Sequence, residues 1–359
     1  MANYFEIDFL DVEAKKSGDA ISIRYELDGK TVIHVVDGGY IDTGVKLKNH
    51  INEYYENPKI IDRVIVTHPD GDHANGLRTI LEEFSVKELW MLRPWQYADE
   101  LLPRFAKFKS KENLIKRLRE IYSSIDVLEE IALRKKILIK EPFQGSSIGA
   151  FTVMAPTKAR YLDLVVQSER TPEPAATEKQ GLEALSESIL TKAISLLRAL
   201  WGQEAFSSEE TSSENEMSVV QYANLCDQRI LLTGDTGRQG LKEAADYAPV
   251  IGLILPGINR FQVPHHGSRR NVSTELLDQW LGHKLAIKPE PGKGTFTAII
   301  SSAKADEDHP RKAVVRAMIH RGANVYTTEG NSIRSSKNAP DRNGWNSAKV
   351  EEYPDEQEE

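Results

Sequence analysis

The chain has 359 residues, of which 40% are apolar and 28% charged, so it is globular rather than disordered, collagen-like or disulfide-stapled. Its formal net charge of −8 means that the field of the whole molecule does not draw nucleic acid, and a polyanion has to be held by local patches or bound metal. A single cysteine, Cys226, rules out an internal disulfide and reads as a buried thiol; the absence of a long apolar run and an acidic N-terminal stretch unlike a signal peptide lead us to expect a soluble, cytoplasmic protein with no membrane partner.

Residues 4–12 and 20–27 alternate like strands, and the turn at Asp28-Gly29-Lys30 leads into a third strand over 31–39. A helix over 45–57, a Val/Ile-rich strand over 60–68, a helix over 75–84 and a strand over 86–92 come next. Residues 97–132 read as mainly helical and basic: from Arg104 to Lys140 eleven Lys/Arg stand against five Asp/Glu, which suits either a solvated helix face or a polyanion-binding surface. Strands over 135–142 and 149–156 are joined by the turn 144–149.

After Pro156 the composition changes. Residues 157–214 hold a Pro/Thr/Glu stretch, an amphipathic helix over 182–201 suited to core or partner packing, and a polar tract, and together they read as a helical, partly flexible insertion. Strands over 218–224 and 228–237, a helix over 239–247, strands over 250–257, 261–268 and 295–303, a helix opened by Pro310 and closed by Gly322, and a strand over 323–328 complete an alternating α/β pattern. The expected organisation is one domain over 1–335 that contains the insertion, followed by an acidic, disordered tail over 336–359.

Chemistry gathers where strands end. The loop His68-Pro69-Asp70-Gly71-Asp72-His73 puts four potential metal ligands within six residues, between a strand and a helix, although by itself it also fits a polar turn with an Asp N-cap. Asp235 follows the strand ending in ILLTGD, His265 and His266 follow FQVP, and His309 follows TFTAIISSA. Taken singly, Asp235 fits an Asx turn or helix cap as well as it fits a metal ligand, and His309 fits an ordinary surface residue. The recurrence is what matters, because in layered α/β folds the strand ends lie along one edge, where ligands bind. Three other motifs carry no such chemistry: Gly145-Ser146-Ser147-Ile148-Gly149 is followed by a strand instead of the helix a nucleophile elbow needs, the Gly/Lys/Thr loop at 291–295 lacks the upstream glycine of a phosphate loop, and Trp90 and Trp95 suit packing.

The order of DGG (37–39), HPDGDH (68–73), LLTGD (231–235) and PHHGS (264–268), with His309-Pro310 behind them, resembles the metallo-β-lactamase superfamily of hydrolases. Within it, the opening FLDVEAKKSGDAISI is similar to the soluble domain of the DNA-uptake competence protein ComEC, with a longer first turn. The resemblance covers 4–156 and about 215–330. It implies a four-layer αββα sandwich with a helical insertion, and two divalent metal ions. His68 and Asp70 would serve one metal and Asp72 and His73 the other, with Asp235 shared between them and His265 or His266 as the late histidine. His309 would be an extra ligand or proton donor. Carboxylate at Asp70, where the family's commonest pattern has histidine, moves the expected ion from Zn²⁺ toward Mn²⁺ or Mg²⁺. Asn215 stands near the place of a further family histidine, and Asp37 would orient a ligand histidine through a hydrogen bond.

The expected activity is metal-dependent hydrolysis, first of all a phosphodiesterase or nuclease acting on DNA or RNA, in which Asp72, His266 and His309 take part in the chemistry and Ser268, Arg269 and Arg270 bind phosphate. The alternatives are hydrolysis of a small nucleotide or of an acyl or thioester substrate on the same scaffold, or a non-catalytic, metal-supported interaction module. The expected partners are a nucleic-acid or nucleotide substrate and a protein bound through 157–214.

Overall fold

The structure is a computed structural model that describes residues 2–171 and 200–357. Its first sheet contains β1 (Ala2–Phe9), β2 (Ala20–Leu27), β3 (Lys30–Gly38), β4 (Ile60–Ile65), β5 (Ser85–Trp90) and β6 (Leu138–Lys140). Its second contains β7 (Ser147–Ile148), β8 (Phe151–Ala155), β9 (Val220–Leu225), β10 (Gln228–Leu232), β11 (Arg260–Gln262), β12 (Phe296–Ile300) and β13 (Ala323–Thr327). A last strand, β14 (Ile333–Lys337), returns to the first sheet, giving the orders β14-β1-β2-β3-β4-β5-β6 and β13-β12-β11-β10-β9-β8-β7.

The layers follow from the side-chain alternation. On β1, Phe5, Ile7 and Phe9 point between the sheets, where they meet Ile21, Ile23, Phe151, Val153 and Ile230. The outer face of the first sheet buries Val35, Ile61, Val64 and Leu89 against apolar residues of the helices Ile41–Tyr54, Leu77–Glu83, Lys111–Ile121, Ser123–Lys135 and Lys158–Gln167. The second sheet's outer face packs on helices Arg238–Tyr247, Thr274–Leu281 and Lys312–His320, with Trp280 fully buried among them. Four layers, αββα, result.

Several elements depart from the sequence pattern. The apolar run 250–257 forms no strand: Pro249, Gly252, Pro256 and Gly257 interrupt it, and Val250 and Ile254 are 71% and 79% exposed. Residues 135–142 and 149–156, expected as successive strands, supply strands to different sheets, so the turn between them is the crossing from one layer to the other. β14 was not anticipated, since IRSSK has one apolar residue. It pairs antiparallel with β1, and Arg334 and Arg342 reach the fully buried Glu6 and Asp8 on that strand. Farther on, Tyr353 OH bonds His320 and the carbonyls of Pro354 and Asp355 accept from Arg316, so the acidic C-terminal stretch runs against the second helical layer. The amphipathic stretch expected over 182–201 lies largely outside the described residues. Among those described, no helix is long and apolar enough to cross a membrane.

Three glycines bring β3, the helix Ile41–Tyr54 and the end of the 68–73 loop into backbone contact. A Cβ on Gly76 would lie 1.9 Å from the Gly38 carbonyl oxygen, and one on Gly44 would lie 2.2 Å from that of Gly76. Gly76→Ala is therefore expected to destabilise the fold by about 2–3 kcal/mol by overpacking against backbone that cannot yield. A denaturant titration of Gly76→Ala against the wild type would check this.

Candidate metal centre

In the first sheet β3, β4 and β5 run parallel, and in the second β10, β11, β12 and β13 do, so their C-terminal ends share one edge of the sandwich. His68 lies three residues past β4, Asp235 three past β10, and the turn His265–Gly267 closely follows β11. β2 is antiparallel to β3, so its start brings Asp19 to the same edge. The four sequence-distant segments meet there.

The polar atoms at the meeting point are buried and mutually close. His73 Nε2 is 3.3 Å from Asp235 Oδ1 and 3.9 Å from Asp72 Oδ2. His266 Nε2 lies 3.6 Å from Asp235 Oδ2 and 3.7 Å from Asp72 Oδ2. Ligands at the usual metal–ligand distances of about 2.0–2.2 Å around one tetrahedral cation would be about 3.3–3.6 Å apart; Asp72, His73 and His266 form one group close enough to hold an ion, and Asp19, His73 and Asp235 another, with His73 and His266 facing different oxygens of Asp235. His68 Nε2 stands beside it, 3.8 Å from Asp235 Oδ2 and 3.9 Å from Asp70 Oδ2.

Hydrogen bonds on the far sides of the rings aim the histidines. Asp37, wholly buried, accepts from Thr67 N at 2.9 Å, Thr67 Oγ1 at 2.5 Å and His73 Nδ1 at 2.8 Å. Because Thr67 gives its hydroxyl proton to Asp37, its oxygen accepts from His68 Nδ1 at 3.1 Å. His266 Nδ1 donates to the Ser301 carbonyl at 2.9 Å. All three rings thus turn Nε2 inward, and none of those Nε2 atoms has a hydrogen-bond partner, nor has Asp235 Oδ1. A buried polar atom without a partner costs about 1–3 kcal/mol, and several pointed at one place fit a divalent cation.

The backbone is bent to reach this arrangement. Asp37, His265 and His266 have φ of +55°, +47° and +53°, a left-handed conformation that costs a non-glycine residue about 1–3 kcal/mol. Consecutive left-handed residues send the two ring side chains different ways. His266 is buried in the cage, while His265, with Nε2 at 3.7 Å from Asp235 Oδ2, turns Nδ1 to Asn271 Oδ1 at 3.0 Å and has Asn215 Nδ2 at 3.2 Å. His309 stacks at the rim, 5.3 Å between centroids from His265, and contacts Asp306 Oδ2 at 3.3 Å. A cleft of about 480 Å³ opens beside it, with Glu209, His265, Ser268, Arg269, Arg270 and Arg311 in its lining.

Asp19 was not picked out in the sequence. Its carboxylate accepts from Gln262 Nε2 at 2.9 Å and comes within 3.8 Å of His73 Nδ1, and its other oxygen has no partner. Gly18 lets it approach, since a Cβ there would meet the Asp72 carbonyl at 2.6 Å. Its only trace in the chain is a Gly-Asp pair opening a strand. Arg170 was missed as well: it grips Asp70 with both terminal nitrogens, Nη1 to Oδ1 at 2.6 Å and Nη2 to Oδ2 at 3.2 Å.

Burial and charge set the protonation of the metal-free centre. Burial raises the Asp19 carboxyl to about 6 and, with the neighbouring imidazoles, lowers His309 to about 4. For His266 burial opposes the cation but Asp235 and Asp72 outweigh it, giving about 9, and the same balance of burial against Asp235, Asp72 and Asp37 holds His73 well above its ordinary value.

Residues 26–131, which include Asp37, His68, Asp70, Asp72 and His73, match the family model of the metallo-beta-lactamase superfamily. The two-sheet architecture is that superfamily's sandwich. No curated protein matches the chain. Among solved structures, a beta-lactamase domain protein from Burkholderia ambifaria is 13% identical over 74% of this chain and 70% of its own, with a TM-score of 0.32. A diphosphatase from the PhnP family is 11% identical over 94% of this chain and 99% of its own, with a TM-score of 0.35. Such likenesses say nothing about substrate. Proteins of the metallo-β-lactamase superfamily typically bind divalent metals, and the orphaned donors described above fit one.

Two outcomes follow for this centre. Asp37→Asn is expected to weaken metal binding by roughly 10–100-fold, because it disturbs the bonds that orient His73 and Thr67; competition with a chromophoric chelator would measure it. Metal uptake displaces the proton from His266, so apparent affinity should climb as pH rises toward about 9. Over the same range the metal-free chain should lose stability: the contribution of protonated His266 is complete below its ordinary value of 6.5 and disappears as pH passes about 9. Calorimetry in buffers of different protonation enthalpy and melting curves against pH would test both.

Proposed function

We propose that the chain is a metal-dependent hydrolase of phosphoester bonds whose substrate is a nucleotide or the accessible end of a nucleic-acid strand. The observation that carries this reading is the juxtaposition of the inward-facing donors of His68, Asp72, His73, Asp235 and His266 with a cleft lined by Ser268, Arg269, Arg270 and Arg311. Asp72, His73, Asp235 and His266 would hold the cation, with His68 and Asp70 beside them. Asp37 and Thr67 orient the rings, and Asn215 and Asn271 hold His265 at the rim. When bound, a divalent cation supplies Lewis-acid polarisation and makes water acidic enough to yield a nucleophile near neutral pH.

The chain's own groups would do the rest. Ser268 and the arginines would meet anionic oxygens in the cleft by hydrogen bonds and charge, Arg270 and Arg311 exchanging their present partners Glu209 and Asp308 for them. His309, uncharged near neutral pH through burial, is suited to accept a proton at the rim, whereas His265 keeps one ring nitrogen toward Asp235.

Substrate length is argued from the basic segment. Arg104 is paired with Asp163, Lys111 with Asp99, Arg119 with Asp126 and Glu129, Arg134 with Glu82 and Lys140 with Glu88. Lys135 caps the end of the helix Leu77–Glu83 through the carbonyls of Leu81, Glu82 and Phe84. Cations already neutralised within the fold release few counterions from a long duplex, and a cleft of about 480 Å³ is of small-ligand size.

The test is hydrolysis of labelled single- and double-stranded DNA, RNA and a generic phosphodiester by metal-stripped protein resupplied with Mn²⁺, Mg²⁺ or Zn²⁺. Asp72→Asn and His266→Ala are expected to lower turnover by about a thousandfold or more with an unchanged circular-dichroism spectrum. Substrate affinity should fall only gently with salt; a steep decline would point instead to a grip along many phosphates. Cleavage unaffected by either substitution would refute the proposed centre.

A further inference from the structure

The two halves of the centre are unequally equipped. The half formed by Asp72, His73, Asp235 and His266 has four donors with neighbours at 3.3–3.9 Å, and three of them present buried atoms with no hydrogen-bond partner. The half around His68 has one such atom, His68 Nε2, and shares Asp235 with the first. Its remaining carboxylate, Asp70, already has a cation. Arg170 spans both of its oxygens, at 2.6 and 3.2 Å, in the fork-to-fork geometry that makes arginine–carboxylate pairs strong.

Arg170 is held in place from behind. Its backbone N–H donates to Ser168 Oγ at 3.1 Å, Ser168 Oγ bonds Glu214, and Arg170 Nε stands 3.9 Å from Glu214 Oε2. Thr171 Oγ1 ties the same turn to the carbonyls of Val165 and Ser168, at 2.9 and 2.8 Å. The guanidinium therefore projects from an anchored turn at the end of the helix Lys158–Gln167. Asn215, beside the centre, donates its amide nitrogen to Thr211 Oγ1 at 2.8 Å.

We infer, on the reading that this edge binds divalent metal, that the centre holds one ion tightly, in the Asp72–His73–Asp235–His266 cage, and that Arg170 takes at Asp70 the place of a second. A guanidinium a hydrogen bond away from a carboxylate opposes a divalent cation approaching the same oxygens, and His68 and Asp235 alone are too few ligands to offset it. Arg170 is a positioning residue in this arrangement. It fixes Asp70 and excludes an ion, and it sits at the base of the 157–214 insertion, so the number of metals is set by a side chain outside the metal-binding loops.

Metal content decides the matter without an activity assay. Protein equilibrated with Mn²⁺ or Zn²⁺ and passed through a desalting column is analysed by elemental mass spectrometry, and a calorimetric titration follows any weaker equivalent. The expected result is about one metal per chain for the wild type and for Arg170→Lys, which keeps the charge, and close to two for Arg170→Gln, with the second equivalent tightened by about tenfold or more. His266→Ala should lose the tight equivalent. Two tight equivalents in the wild type, or one in wild type and Arg170→Gln alike, would overturn the role of Arg170 while leaving the metal centre standing. No retained metal in folded wild type, judged by circular dichroism, would overturn the metal reading itself and this inference with it.

Discussion

A cluster of histidines and carboxylates packed together at one edge of the sandwich dominates this molecule. His68, His73 and His266 each direct an Nε2 with no partner at a space already edged by the carboxylates of Asp72 and Asp235. Burying such a set is costly; without metal, Asp235 and Asp72 offset the cost by favouring the charged forms of His73 and His266, and a divalent cation would take over that role. The surrounding polar shell, from the Thr67 hydroxyl to the Ser301 carbonyl, serves mainly to hold that costly geometry.

The strain in the backbone belongs to the same account. Two adjacent histidines in the left-handed region are unfavourable locally, yet they let one ring enter the cage while its neighbour faces the cleft. Gly38, Gly44 and Gly76 play the complementary part by removing side chains where three backbone segments touch. The metal loop is thereby set against β3 with little room for adjustment, as a site of fixed geometry requires.

Much of this was legible from residue order. Strand alternation over the first forty residues and the apolar stretches ahead of His68, Asp235 and His265 are local signals, and the elements they mark are found in place. Signals that depend on partners distant in the chain left no such trace. β14 is a strand because Glu6 and Asp8 on β1 need Arg334 and Arg342, not because IRSSK is apolar. Asp19 and Arg170 reach the centre only through tertiary packing. The run 250–257 misleads in the opposite sense: its apolar residues look like a buried strand, but prolines and glycines keep the backbone out of the ladder. Whether the inner histidine at 265–266 is the first or the second is likewise a matter of backbone handedness, which composition does not encode.

The interface between the two sheets is built from interdigitating apolar side chains such as Phe5, Ile23, Phe151 and Ile230. At its open edge, Asp72 and His73 hang from one sheet and Asp235 and His266 from the other. An ion gripped by all four would join the layers beside the Gln262–Asp19 and Val219–Thr67 hydrogen bonds that already cross between them, so this edge would also be the sandwich's mechanical fastening.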